Sequence, residues 1–93
     1  MKYFDWDTEK NRVLKEERDV GFEDALVAME EGGLLDVYNH PNQSRYPEQK
    51  IAIVKIKDYV YLLPYIEDDN KYFLKTIFPS RKMTQKYIMK KKT

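Results

Sequence analysis

"KIAIVKIKDYVYLLPYIEDDNKYFLKTIF", residues 50–78, is the stretch whose reading decides the fold. Three apolar runs rich in β-branched and aromatic residues are separated by two short polar breaks. Residues 50–57 form the first run, and Asp58 is suited to open a tight turn after it. Residues 59–67 form the second, and "DDNK" at 68–71 is a turn of the kind that joins antiparallel strands. Residues 72–78 form the third. Pro79 cannot donate to a ladder, so that strand ends there or lies at a sheet edge. If Ile51 and Ile53 point inward, Lys55 and Lys57 continue their face toward its wet end. Lys75 shares a face with Phe73 and Ile77, with its ammonium snorkelling out at the sheet margin.

On the N-terminal side, "LLDVY" at 34–38 adds a fourth strand, and "NHPNQSRYPEQ" at 39–49 is a polar loop with two prolines. Gly32-Gly33 stops a helix whose stripe is Phe22, Ala25, Leu26 and Met29, spaced i, i+3, i+4 and i+7. "RDVG" separates it from an earlier helix, "TEKNRVLKEER", which Asp7 caps and whose Val13 and Leu14 face inward. "YFDW" opens the chain as a short strand. On the C-terminal side Ser80 caps a last helix, with Met83 and Tyr87 at i and i+4 on its inner face. The order is a short strand, two helices, four antiparallel strands and a terminal helix. Segregated in this way, the elements predict an α+β fold.

Ninety-three residues predict one domain with a single modest core. Apolar residues at 42% and aromatics at 14% belong to a globular chain. No cysteine is present, so disulfides and thiolate chemistry are excluded. No apolar run approaches the roughly 18–20 residues that span a bilayer. "MKYFDWDTEK" meets acid at once and lacks the apolar core of a signal peptide, so a cytoplasmic protein with no membrane partner is expected. The net charge of +1 conceals a division: residues 1–48 carry −6 and residues 49–93 carry +7. An acidic half followed by a basic half hints at an anionic partner.

Motif searching removes most enzyme classes. The sequence has no Gly-rich phosphate loop, no His/Cys/Asp cluster with metal spacing and no Ser-His-Asp set, so no cofactor or metal is expected. Paired acids such as Glu16-Glu17 and Glu30-Glu31 end predicted helices and read as solvated surface. The single histidine, His40, lies in a proline-bounded loop, where turn chemistry competes with an acid–base or RNA-contacting role. What remains is cationic and phenolic. Lys50, Lys75, Arg81, Lys82, Lys86 and Lys90 to Lys92 accompany Tyr46, Tyr65, Tyr72 and Tyr87. Cations neutralise phosphates, arginine grips one bidentately, and tyrosine rings stack on unpaired bases. The same groups can also cleave RNA by activating the ribose 2′-OH and holding the developing phosphorane charge. Composition leaves binding and cleavage open, beside a lysine-rich face kept only for solubility.

The opening, "YFDWDTEKNRVLKEERDVGFEDAL", resembles that of BrnT-type toxins of bacterial toxin–antitoxin pairs, which begin F-x-W-D-x-x-K-N and reach F-E-[ED]-A. Phe4, Trp6, Asp7, Lys10, Asn11 and Phe22 to Ala25 carry the match. "TIFPSRKMTQKY" resembles the family's I-I-S-A-R-x-A-T-x-x-E, with Arg81 and Thr84 in register. The family's K-H-G-V is "ERDV" here, its serine cap is Gly21, Thr76 stands where arginine is frequent, and Tyr87 replaces the last glutamate.

The resemblance implies a RelE-like α+β fold, with N-terminal helices packed on a curved four-stranded antiparallel sheet and a C-terminal helix. It also implies a metal-independent endoribonuclease acting on messenger RNA. The partner it implies is a DNA-binding antitoxin, of the ribbon-helix-helix type, that covers the basic surface. Operator DNA is then met only through that antitoxin. On this reading Arg81 clamps the phosphate, Lys75 and Lys50 position the backbone or move protons, and Tyr87 or Tyr65 serves as acid, base or stacking ring. Lys82, Lys86, Arg45 and His40 complete the RNA contacts. The alternative is a non-catalytic RNA-binding or protein-interaction module with the same fold.

Overall fold

The computed structural model describes residues 2–89; Lys90 to Lys92 lie outside them. Strand β1 (Tyr3–Trp6) leads into helix α1 (Thr8–Arg18), capped as its sequence requires. The Asp7 carboxylate accepts from the amides of Glu9 and Lys10 at 2.9 and 3.2 Å, covering donors that the first turn leaves unpaired. Asp19 ends α1 in the left-handed region, φ 61°, with its amide on the Lys15 carbonyl at 3.0 Å.

Helix α2 (Phe22–Glu30) starts at Gly21, whose amide donates to Asp24 Oδ2 at 2.8 Å. A Cβ at Gly21 would meet Asn11 Oδ1 at 2.7 Å and Lys15 Cγ at 2.8 Å, which explains why no larger cap stands there. Asn11 causes this crowding. Its side chain, 7% exposed, accepts from the Phe22 amide at 2.7 Å and donates to Glu23 Oε2 at 3.0 Å. It therefore fixes the start of α2 to the first turn of α1. The stripe Phe22, Ala25, Leu26 and Met29 faces the core, as its spacing requires.

The remaining strands are β2 (Leu34–Asn39), β3 (Gln49–Ile56), β4 (Tyr59–Glu67), β5 (Lys71–Leu74) and β6 (Phe78–Pro79). The sheet order is β1-β5-β4-β3-β2, with β6 also on β4. The β2–β3, β3–β4 and β4–β5 pairs are antiparallel, as expected. The class is α+β, but the sheet is larger than the four-stranded one foreseen. β1 joins its edge parallel to β5, Tyr3 beside Lys71 and Trp6 beside Leu74. Nothing local to "YFDW" announces a partner nearly seventy residues away.

The run 72–78 is not one strand. It breaks after Leu74 and resumes as β6, because β4 contains Pro64. The Lys75 amide donates to the Pro64 carbonyl at 2.8 Å, but proline returns no N–H on that side, so the ladder lapses.

The two sheet faces have different covers. Residues paired across strands share a face, so Ala52, Leu63, Val54 and Tyr61 lie together under α1 and α2. Ile51 and Ile53 pair with Pro64 and Leu62 and point the other way. Ile53 is fully buried and Ile51 half-buried there, on the face opposite α1 and α2, so both sheet faces are partly covered. Lys55 does share the Ile53 face, whereas Lys57 sits in the turn with φ 58°. Ile77 also departs from its expected face, being buried in the α1–α2 core, while Lys75 stays exposed above Phe73.

The second face carries the C-terminal helix. α3 (Arg81–Thr84) is capped by Ser80, whose hydroxyl accepts from the Met83 amide at 3.1 Å, and continues as a π-helical turn, Gln85–Met89. Thr84 anchors it. Its buried hydroxyl accepts from the Val60 amide at 2.9 Å and donates to the Ser80 carbonyl at 2.7 Å. Among the described residues, no helix is long and apolar enough to cross a membrane.

Candidate functional site

The C-terminal helix starts beside β6 and runs across β4 toward β2. Thr84 meets Val60 on β4, and at the far end the Tyr87 hydroxyl donates to Asp36 Oδ2 on β2 at 3.2 Å. Its outer side exposes Arg81, Lys82 and Lys86, while Met83 and Tyr87 turn toward the sheet. Beneath Met83 lies an apolar hollow of about 400 Å³, lined by Tyr38, Asn39, Pro41, Ile51, Leu62 and Met83. That volume lies in the range of small-ligand sites, about 300–1,000 Å³. The Tyr38 hydroxyl reaches Met83 Sδ at 3.8 Å, so one wall is tied to the helix.

The loop leaving this hollow through Pro41 carries His40, Arg45 and Tyr46. His40 Nδ1 accepts from the Asn42 amide at 3.0 Å, and its ring packs 4.3 Å from Tyr46. Arg45 lies over the other part of the same cluster, 5.5 Å from the Tyr46 ring centre. His40 thus holds the turn, as its setting in the sequence allowed. Lys86 sits 5.6 Å from the Tyr87 ring.

These residues do not converge on one point. Tyr87 reaches β2, whereas Lys75 lies over Phe73 on β5, 5.9 Å from the ring centre. β5 and β2 are three strand spacings apart, or roughly 14 Å, so the two residues hold opposite margins of one face. Lys50 is on the other face altogether. It pairs with Tyr65 across β3 and β4 and reaches Glu67 at 3.6 Å, in a cluster that includes the Lys2–Glu67 ion pair. Tyr65 packs there edge-on to Tyr72. Lys50 and Tyr65 therefore go together, and apart from Arg81, Lys82, Lys86 and Tyr87.

Protonation follows from the surroundings. Desolvation pushes the Tyr87 phenol up, and the Asp36 carboxylate that accepts its hydrogen bond pushes it further. Burial also raises Tyr65, with Glu67 adding to the effect. A cation-rich site would instead have lowered a tyrosine. Both phenols are kept as proton donors at neutral pH. Among the described residues, no three His, Asp or Glu side chains cluster as metal ligands would.

The architecture is similar to a known one. It superposes on the crystal structure of the Brucella abortus ribonuclease toxin BrnT with a TM-score of 0.61, covering 86% of this chain and 97% of that one at 9% identity. The chain has a BrnT-like fold. No protein-family model and no curated protein matches the sequence.

Within that BrnT-like fold, sequence reasoning passed over Asp36 and Tyr38, although the alternation of "LLDVY" already set both on one face. It read Asn11 and Thr84 as points of resemblance, and the structure assigns each a hydrogen-bonding task. Short polar side chains inside apolar patterns were the available signal, since such groups are buried only with partners.

Proposed function

We propose that this protein is a toxin of a toxin–antitoxin pair that cleaves single-stranded messenger RNA on the sheet face beneath its C-terminal helix. The observation that carries this reading is the BrnT-like fold with Arg81, Lys82 and Lys86 exposed along that helix, beside the Tyr38–Met83 hollow. An unpaired base fits the hollow against the Tyr38 ring, and the cations meet the adjoining phosphates. Cleavage proceeds by attack of the ribose 2′-oxygen on the neighbouring phosphorus, with rupture of the P–O5′ bond. The 2′-hydroxyl proton leaves to a base, the 5′-oxygen gains one, and the products end in a 2′,3′-cyclic phosphate and a 5′-hydroxyl. Arg81 holds the charge of the phosphorane. Tyr87, oriented by Asp36 and kept protonated, supplies the proton to the leaving oxygen. Lys75, at the far margin, holds a flanking phosphate. Lys50 is left with a positioning role at most, because the sheet separates it from Tyr87.

The partners of this reading are RNA and a DNA-binding antitoxin of ribbon-helix-helix type, through which operator DNA is reached, all in the cytoplasm. A second reading, an RNA- or protein-binding module without cleavage, is favoured by the separation of Lys75 from Tyr87 on opposite margins of the sheet face. Arg81→Ala tests the first. Expression of the parent chain should arrest growth and the variant should relieve the arrest at equal abundance and unfolding midpoint; undiminished arrest by the variant refutes the assignment.

A further inference from the structure

On the helix side of the sheet, α1 and α2 leave a groove uncovered. Its floor is Ala52, Leu63 and Leu74, in a hollow of about 220 Å³. It continues along the outer side of α2 past Phe4, Leu26 and Val27 to Glu30. Phe4 is 42% exposed, Val27 52%, Leu34 46% and Val37 39%. These four are half of the large apolar side chains left exposed among the described residues, and all line this groove or its lip. A contiguous apolar patch of this kind marks a contact surface.

The two rims differ in charge. Glu30, the last residue of α2, lines one side, and Glu31 follows it, exposed, as the helix C-cap. Lys2 and Lys50, flanking Glu67, border the other, where Lys50 pairs with the Tyr65 that lines the hollow. Strand addition is obstructed at both sheet edges. The outward amide of Val37 on β2 is taken by Asp36 Oδ1 at 2.8 Å, and that of Trp6 on β1 by Asp5 Oδ1 at 2.9 Å. Edges covered by carboxylates resist pairing with another strand.

We propose that this groove receives one amphipathic α-helix of a protein partner. Its apolar stripe fills the groove, Lys or Arg on one flank face Glu30 and Glu31, and Asp or Glu on the other flank face Lys2 and Lys50. A helix lying there packs beside α2 on a sheet surface, the helix-in-groove mode of recognition. The proposal extends the partner half of the functional reading and owes nothing to its cleavage half. It also sets the partner on the face opposite the basic helix.

Three labelled 18-residue helical peptides with the full chain test it. One has a leucine stripe with lysines on one flank and glutamates on the other. The second has the same stripe with glutamates on both flanks, and the third has a scrambled stripe. Fluorescence anisotropy should show the first binding at least tenfold tighter than the other two. Val27→Asp, at an exposed position, should weaken it at least tenfold without moving the unfolding midpoint or RNA cleavage, and Glu30→Lys should shift preference toward the all-glutamate peptide. Equal binding of all three peptides, or binding by none, overturns the proposal. So does a concentration-dependent dimer that Val27→Asp abolishes, which would give the groove to a second copy of the chain.

Discussion

Replacing Asn11 with alanine isolates the joint on which the helical layer depends. Asn11 is 7% exposed, and its Oδ1 takes the Phe22 amide at 2.7 Å while its Nδ2 serves Glu23 at 3.0 Å. In the alanine variant the Phe22 N–H is buried without a partner, a loss of about 1–3 kcal/mol. The bond to Glu23 adds little, about 0.5 kcal/mol, because that carboxylate is half-exposed and water replaces the donor. A total of about 1.5–3.5 kcal/mol and a urea slope of about 1.5 kcal/mol/M place the midpoint roughly 1–2.3 M lower. Urea unfolding followed by far-UV circular dichroism measures it. Glu23→Gln, which keeps an acceptor for Asn11, should lose less than about 1 kcal/mol. An alanine variant within about 0.5 kcal/mol of the parent, at unchanged slope, would refute the joint.

Further outcomes follow from the same geometry. Thr84→Val keeps the shape but strips the Val60 amide of its acceptor, so it should cost about 1–3 kcal/mol in urea unfolding and should lower RNA binding by loosening the helix that carries Arg81. Acid should weaken the α1–α2 joint. The Asn11 amide first, then the backbone and Lys15, hold the Glu23 carboxyl below its ordinary value. A depressed carboxylate stabilises the fold above its unfolded value of about 4.3 and loses that contribution as pH falls through the folded one. The midpoint of the parent should therefore fall more steeply below pH about 4.3 than that of Glu23→Gln.

Local chemistry was legible where it is written in adjacent residues. Asp7 and Ser80 announced their caps, the Phe22–Met29 stripe announced α2, and the turns at Asp58 and Asp68 announced the antiparallel meander. What escaped depends on distant partners. The parallel seat of β1 on β5 has no local signature, and the break after Leu74 comes from Pro64, ten residues earlier on another strand. The site was legible as a composition, basic and phenolic, but not as an arrangement. Lys50 and Lys75 look alike in sequence. A strand alternates its faces residue by residue, so their faces are set by register, and only the pairing of Lys50 with Tyr65 put it on the face that bears α1 and α2. The tyrosines were expected among cations, whereas Tyr87 points at Asp36 and Tyr65 sits beside Glu67.

The most direct measurement incubates the full chain with end-labelled single-stranded RNA in excess chelator and identifies the termini of the products. The account predicts fragments ending in 2′,3′-cyclic phosphate and 5′-hydroxyl, formed by the parent and lost with Arg81→Ala. RNA that is retained but never cut, or cut to leave 5′-phosphates, would contradict it.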